Sequence, residues 1–112
     1  ELFNEWHIQD LEILEEKRSQ VKELIFSFLM YYRDLLVCKI GDRNLPIYHA
    51  DWRNALVSKS QSLSEDILFR ILNVIKTSIE YLDYNANINL LLENMITKIL
   101  HIQFDNNIQS LQ

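Results

Sequence analysis

The sequence predicts an all-α protein, a compact bundle of four to five helices, on three observations. Glycine and proline each occur once in 112 residues, so the residues that form tight turns and break helices are scarce. Leucine and isoleucine recur at spacings of three and four, which places them on one face of a helix. The connectors between these stripes span roughly 3 to 10 residues, short enough for successive helices to pack as neighbours.

Composition indicates one globular domain over residues 1–112, with 48% hydrophobic and 24% charged residues. Because the chain starts at Glu1 rather than at a methionine, we expect it to be a piece of a longer protein. The formal charge of −5 disfavours binding to nucleic-acid phosphates. Cys38 is the only cysteine, which fits a reducing, cytoplasmic setting. The most apolar stretch, Leu24 to Tyr32, is too short to span a membrane.

The sequence predicts helix throughout the N-terminal part of the chain, either as one long helix or as two. Residues 4–16 carry Trp6, Leu11 and Leu14 with carboxylates between them, a pattern typical of a short amphipathic helix, and Asn4 is a candidate N-cap. Residues 21–40 are apolar at nearly every position, so this stretch should be a central helix covered on most sides. Gly41 can end it with a left-handed residue, and Lys39 opposes the negative end of the helix dipole.

Three further helices follow, each introduced by a candidate cap. Pro46 delays the next helix, and Asp51 is the expected N-cap of a short helix reaching Val57. Ser64 is the expected cap of a helix that ends near Tyr84, and Asn87 that of the last helix, which should fray from Asp105. The expected core stripes of these two helices are Leu68, Leu72, Ile75, Ile79, Leu82 and Ile88, Leu92, Met95, Ile99, Ile102.

No constellation of residues predicts catalysis, a cofactor, a metal or a small-molecule substrate. Of His7, His49 and His101, only His101 has a carboxylate one turn away, at Asp105, and a single such pair falls short of the four ligands of structural zinc. A lone glycine excludes a glycine-rich phosphate loop within these residues.

Charged and aromatic side chains within apolar helices point instead to packing and protein contacts. Arg33 and Asp34 lie in the apolar helix and require partners, from other helices or from a neighbouring subunit. Arg33 and Arg70 converging on an anionic substrate would make a small helical enzyme, but pairing or surface exposure of each is the simpler interpretation. Tyr31 and Tyr32 favour core or interface packing, and Trp52 is a candidate anchor for a partner.

Three segments carry a resemblance to a known family. Residues 31–39, YYRDLLVCK, are similar to its aromatic, Arg-Asp-Leu-Leu, then Lys pattern near the end of a long helix. Residues 63–68, LSEDIL, are similar to the Leu-Ser start of its penultimate helix. Residues 85–95, NANINLLLENM, are similar to its Asn-Val-Asn turn and the Leu-x-Leu-Glu opening of its last helix. In this order and spacing, roughly residues 21–100 resemble the C-terminal collar domain of bacterial DNA polymerase III clamp-loader subunits.

The resemblance is stronger for the delta prime subunit, because of the loop at residues 45–51 and the Asn-x-Asn turn; the gamma/tau subunit is the second choice. It implies a non-catalytic oligomerisation module that holds a clamp-loader subunit in a five-membered ring, while separate ATPase domains load the sliding clamp in DNA replication. The implied partners are the collar domains of other clamp-loader subunits, without direct contact to nucleic acid. The candidate interface or motif positions are Tyr31, Tyr32, Arg33, Asp34, Lys39, Trp52, Asn85, Asn87 and Glu93.

The alternative is an unrelated helical adaptor or regulatory protein-interaction bundle. The natural gene distinguishes the two hypotheses, because a nucleotide-binding ATPase module upstream of this domain would favour the collar.

Overall fold

The structure is a computed structural model that describes the backbone of residues 2–41, 46–84 and 87–111 and the side chains of residues 12–41, 46–84 and 87–105. Within the described residues the chain forms four α-helices and a short 3-10 turn, without any strand, which confirms the all-α bundle. In chain order these are α1 (Leu2–Ile40), the 3-10 turn (Ala50–Trp52), α2 (Arg53–Ser60), α3 (Glu65–Leu82) and α4 (Ile88–Leu111).

Helix α1 is continuous over 39 residues, so residues 4–40 belong to one helix rather than two. The spacing of apolar residues is unbroken there, and no glycine or proline interrupts it. The expected start at Asn4 is wrong, because helical backbone extends back to Leu2, the first residue described. At the other end Gly41 has a φ of +80°, and its N–H donates to the Val37 carbonyl at 3.1 Å. The predicted left-handed termination is confirmed.

The expected N-cap at Asp51 is wrong. Asp51 lies within the 3-10 turn, and the residue before α2 is Trp52, whose side chain makes no capping hydrogen bond. The backbone supplies the cap instead, since the Trp52 N–H donates to the His49 carbonyl at 3.0 Å. A tighter turn therefore leads into α2 without a polar side chain at its start.

The caps of α3 and α4 are confirmed by their hydrogen bonds. Ser64 Oγ accepts the Ile67 N–H at 3.1 Å, and Asn87 Oδ1 accepts the Leu90 N–H at 3.0 Å. Helix α3 ends at Leu82, close to the expected end near Tyr84. Helical backbone in α4 continues to Leu111, past the expected fraying point at Asp105, because no glycine or proline follows to end it.

Helix α3 packs against both α1 and α4, and α2 packs against α1. The fully buried apolar centre is formed by Ile25, Leu35, Leu68, Ile71, Ile75, Leu82 and Met95. The expectation that residues 21–40 are covered on most sides is only partly met, since Leu24, Met30 and Ile40 are 43%, 37% and 54% exposed. None of the described helices combines the length and apolar composition needed to cross a membrane.

Candidate subunit-interaction surface

Asp34 is a fully buried carboxylate on α1 that binds the two residues directly before the 3-10 turn. Its Oδ1 accepts the Tyr48 N–H at 2.9 Å and its Oδ2 accepts the His49 N–H at 2.9 Å. The same Oδ2 lies 2.7 Å from His49 Nδ1. A buried carboxylate is costly unless its oxygens accept hydrogen bonds, and here both oxygens do. Asp34 therefore fixes Tyr48 and His49 against α1.

Arg33 extends this network to the surface. Its Nη1 donates to the Pro46 carbonyl at 3.1 Å and lies 3.5 Å from Asp34 Oδ1. Its guanidinium carbon lies 4.8 Å from the centre of the Tyr48 ring, within cation–π range. The side chain remains 37% exposed. Both carboxylate oxygens of Asp34 thus find hydrogen-bond donors within the chain, whereas Arg33 lies at the boundary with solvent.

Tyr31 and Tyr32 pack as a pair whose second member joins two helices. Their ring centroids are 5.1 Å apart with the planes at 78°, an edge-to-face geometry. The Tyr32 hydroxyl accepts a hydrogen bond from Gln103 Nε2 of α4 at 2.7 Å. Burial raises the pKa of Tyr32 above its usual value of 10.0, although the Gln103 contact lowers it. Tyr32 is a packing residue that links α1 to α4.

Arg18 makes a second long-range contact, which sequence reasoning missed. Its Nη1 donates to the Leu82 carbonyl, the last of α3, at 2.6 Å. A guanidinium at a helix C-terminus satisfies a free carbonyl and opposes the negative end of the dipole. Arg18 lies within α1, and nothing in the sequence indicated that α3 would end beside it.

Cys38 resembles a structural thiol rather than a reactive one. Burial raises the pKa of its thiol, Arg53 lowers it, and Asp34 raises it. A raised pKa keeps the thiolate, the reactive form, scarce at neutral pH.

An open groove runs between α1 and α3, with a volume of 770 Å³. We name it the α1–α3 groove. Most of its lining is aliphatic or aromatic, and its charged members are Arg33, Lys76 and Glu80. The full lining is Phe26, Leu29, Met30, Arg33, Tyr48, Leu72, Lys76, Ile79 and Glu80. Leu72 and Ile79 were expected in the core stripe, and the structure places them at its half-buried edge.

The remaining candidate positions do not form one site with Arg33. Lys39 is half-buried in the last turn of α1, Trp52 is 68% exposed in the 3-10 turn, and Glu93 is exposed on α4. Asn87 caps α4. Asn85 lies outside the described residues. Trp52 and Glu93 are therefore accessible to partners, whereas Asp34, Tyr32 and Asn87 have structural contacts within the chain.

Among the described residues, no three His, Cys, Asp or Glu side chains come close enough to hold an ion. Arg70 is exposed on α3 and does not line the groove that contains Arg33. The two arginines of the enzyme hypothesis are thus not brought together in this groove.

A family model described as DNA polymerase III, delta subunit, C terminal, matches residues 7–101. The matched range contains the three resembling segments, the Asp34 network and the α1–α3 groove. The match supports a clamp-loader-related C-terminal domain and does not single out delta prime. No curated protein and no solved structure matches the chain.

Proposed function

Because the chain belongs to the family formed by the C-terminal domains of DNA polymerase III delta subunits, we propose that it is a collar domain that holds its subunit in the clamp-loader ring. Domains of this family are non-catalytic clamp-loader domains, and the chain is not an enzyme. The proposed partners are the collar domains of the other clamp-loader subunits, and the proposed location is the cytoplasm.

The observation that carries this proposal is the family match over residues 7–101, which includes part or all of every described helix. Exposed apolar surface supports it, since burial of such surface between neighbouring bundles can outweigh the entropy lost on association. The net charge of −5 supports protein partners over direct contact with nucleic acid.

Two finer assignments belong to the same proposal. Residues 1–112 act as a single collar-like domain of a longer clamp-loader subunit. That subunit is delta prime, with gamma/tau as the second choice, on the resemblance of the loop at residues 45–51, although the matched family bears the name of delta. Reconstitution tests this identity: the parent subunit should restore a ring assembled without delta prime, and should not replace delta or gamma/tau.

The direct test of the collar is to mix the domain with the C-terminal domains of the other clamp-loader subunits from the same organism. Native mass spectrometry should give a complex whose mass is the sum of its members. If the domain binds none of these partners, the collar proposal is wrong, and the helical adaptor hypothesis takes its place.

A further inference from the structure

We infer that residues 46–60, the segment that contains the 3-10 turn and α2, form a strap that opens from α1 and recloses as one unit while α1, α3 and α4 stay packed. Asp34 is the latch that holds the strap closed. The inference goes beyond the proposed function and does not depend on it, because it concerns how the domain moves and not what it binds.

The strap packs against one helix. Within the described residues, α2 packs against α1 and the 3-10 turn, and no Cα atom of α2 lies within 8 Å of a Cα atom in α3 or α4. The fully buried apolar centre lies entirely in α1, α3 and α4. The strap adds two buried apolar side chains to the core, Ile47 and Leu56. Opening the strap therefore costs far less apolar burial than unfolding the whole chain.

The helix within the strap depends on α1 for its stability. Helix α2 has eight residues, and isolated helices shorter than about 12 to 15 residues are marginal in water. The residue before it, Trp52, makes no side-chain capping hydrogen bond. When the contacts with α1 break, α2 should unfold together with the rest of the strap, which makes the opening cooperative.

The hydrogen bonds between the strap and α1 end on two adjacent residues of that helix. Asp34 accepts the N–H groups of Tyr48 and His49. The imidazole of His49 lies 2.7 Å from the same carboxylate, and Arg33 donates to the Pro46 carbonyl. Because both oxygens of Asp34 bind the strap, the loss of this one side chain releases its N-terminal half.

Opening uncovers one face of α1. Val37 and Cys38 lie three and four residues after Asp34, which is the spacing of one helix face. Asp34 and Val37 are buried while the strap is closed. Burial raises the pKa of the Cys38 thiol and the charge of Arg53 lowers it, which requires the start of α2 to lie near this face. The closed strap thus keeps solvent and partners away from it.

Reclosing is fast because the latch is local. Asp34 and His49 are 15 residues apart, and loops of about 10 residues close within about 10 to 100 ns. Opening is therefore a reversible fluctuation, and amide hydrogen exchange in the strap measures its equilibrium.

Native-state hydrogen exchange followed by NMR tests the strap in the wild-type domain. The probes are the α2 amides of residues 57–60 for the strap and amides from the middle of α3 for the bundle. We expect the α2 amides to share one protection factor, at least roughly a hundredfold below that of the α3 amides. Equal protection of the two helices would mean that the strap opens only when the whole chain unfolds, and would overturn the inference.

A change outside the strap distinguishes its opening from global unfolding. Asn87→Ala removes the cap of α4, which stays formed while the strap is open. It should lower the protection of the α3 amides by roughly fivefold and leave that of the α2 amides within roughly twofold of the wild type. An equal loss in both helices would show that they open together and would refute the strap.

Asp34→Asn tests the latch. It should lower the protection of the α2 amides by roughly a hundredfold, although Asp34 accepts hydrogen bonds only from Tyr48 and His49. Asp51→Asn makes the same chemical change at an exposed position within the strap and should have less than about a twofold effect.

A second variant decides the latch if Asp34→Asn does not fold. His49→Ala removes the contact between the imidazole and Asp34, and should lower the protection of the α2 amides by roughly fivefold. Unchanged protection of the α2 amides in the variant that folds would overturn the assignment of Asp34 as the latch.

Discussion

At the scale of the residue, Asp34 stabilises the loop that follows α1 through both of its carboxylate oxygens. It accepts the N–H groups of Tyr48 and His49 from a position without solvent exposure. Hydrogen bonds to a charged acceptor are stronger than those between neutral groups, and a buried group left without its partners is strongly destabilising. One side chain thus supplies the hydrogen-bond acceptors for the backbone at Tyr48 and His49.

We expect Asp34→Asn to lower the free energy of unfolding by about 3 kcal/mol, because an amide offers a donor where the loop presents two N–H groups. Urea denaturation followed by circular dichroism measures this. Asp83→Asn is the control, since Asp83 is exposed at the end of α3 and its change should cost less than about 0.5 kcal/mol. Equal stability of the two variants would contradict the role of Asp34.

Tyr32 predicts a pH dependence of stability. Its pKa in the folded state is raised above the 10.0 of the unfolded chain, so the folded state holds its proton more tightly at high pH. The resulting stabilisation is fully present below pH 10.0 and is lost as the pH rises through the folded-state pKa. Tyr32→Phe should therefore flatten the alkaline fall in the free energy of unfolding.

Chemical denaturation at a series of pH values from neutral to alkaline measures this difference. The pKa of Cys38 is also raised, so both groups contribute to the fall in stability with pH. The difference between wild type and Tyr32→Phe therefore isolates the contribution of Tyr32. Tyr84→Phe changes an exposed hydroxyl and should keep the wild-type profile. If the free energy of unfolding of Tyr32→Phe falls with pH as steeply as that of the wild type, the pKa of Tyr32 is not raised in the folded state.

At the scale of the element, the caps of α3 and α4 are local devices with measurable contributions. Ser64→Ala and Asn87→Ala should each lower the free energy of unfolding by about 1 kcal/mol, because each leaves an amide at a helix start without its acceptor. Thermal unfolding of each variant gives the measurement. Ser58→Ala, at an exposed position inside α2, should be neutral or slightly stabilising. A cost at Ser58 equal to that at Ser64 would refute the capping assignment.

Local signals explain what the sequence could predict. Ser64, Asn87 and Gly41 act on atoms within a few residues, so residue type and position were enough. The prediction of Asp51 as an N-cap was wrong because Asp51 lies inside a 3-10 turn that leads into α2. The spacing of apolar residues left one helix and two equally possible over residues 4–40, so the continuity of α1 is known only from the structure.

Contacts between distant residues explain what the sequence could not predict. The partners of Arg18 and Tyr32 lie 64 and 71 residues further along the chain. Periodicity identifies apolar positions but does not tell which of them another helix covers. Leu72 and Met30 therefore looked like core residues, and the α1–α3 groove emerged only from the packing.

At the scale of the whole molecule, the described chain extends 61 × 33 × 19 Å. Helix α1, at about 1.5 Å per residue over its 39 residues, spans nearly the length of the longest axis. Such a flat, elongated bundle has more side area for neighbours than a sphere of equal volume. This shape is compatible with docking beside sister domains on more than one side.

Trp52 lies outside the groove and provides a separate test of the interface. It is 68% exposed, so Trp52→Ala should change the free energy of unfolding by less than about 0.5 kcal/mol. As an interface anchor worth about 2 kcal/mol, it should weaken partner binding by roughly thirtyfold. Isothermal titration calorimetry against the partner domains measures the affinity. Phe104→Ala is the exposed aromatic control, and equal affinity of the two variants would remove Trp52 from the interface.

The spacing of the Asp34 contact along the chain also bears on the order in which the molecule folds. Asp34 and His49 are 15 residues apart, whereas Tyr32 and Gln103 are 71 apart. Closing the shorter loop costs about 1.4 kcal/mol less chain entropy, so the Asp34–His49 contact should form before the Tyr32–Gln103 contact. Mutations at Asp34 would then slow refolding, and mutations at Gln103 would mainly speed unfolding.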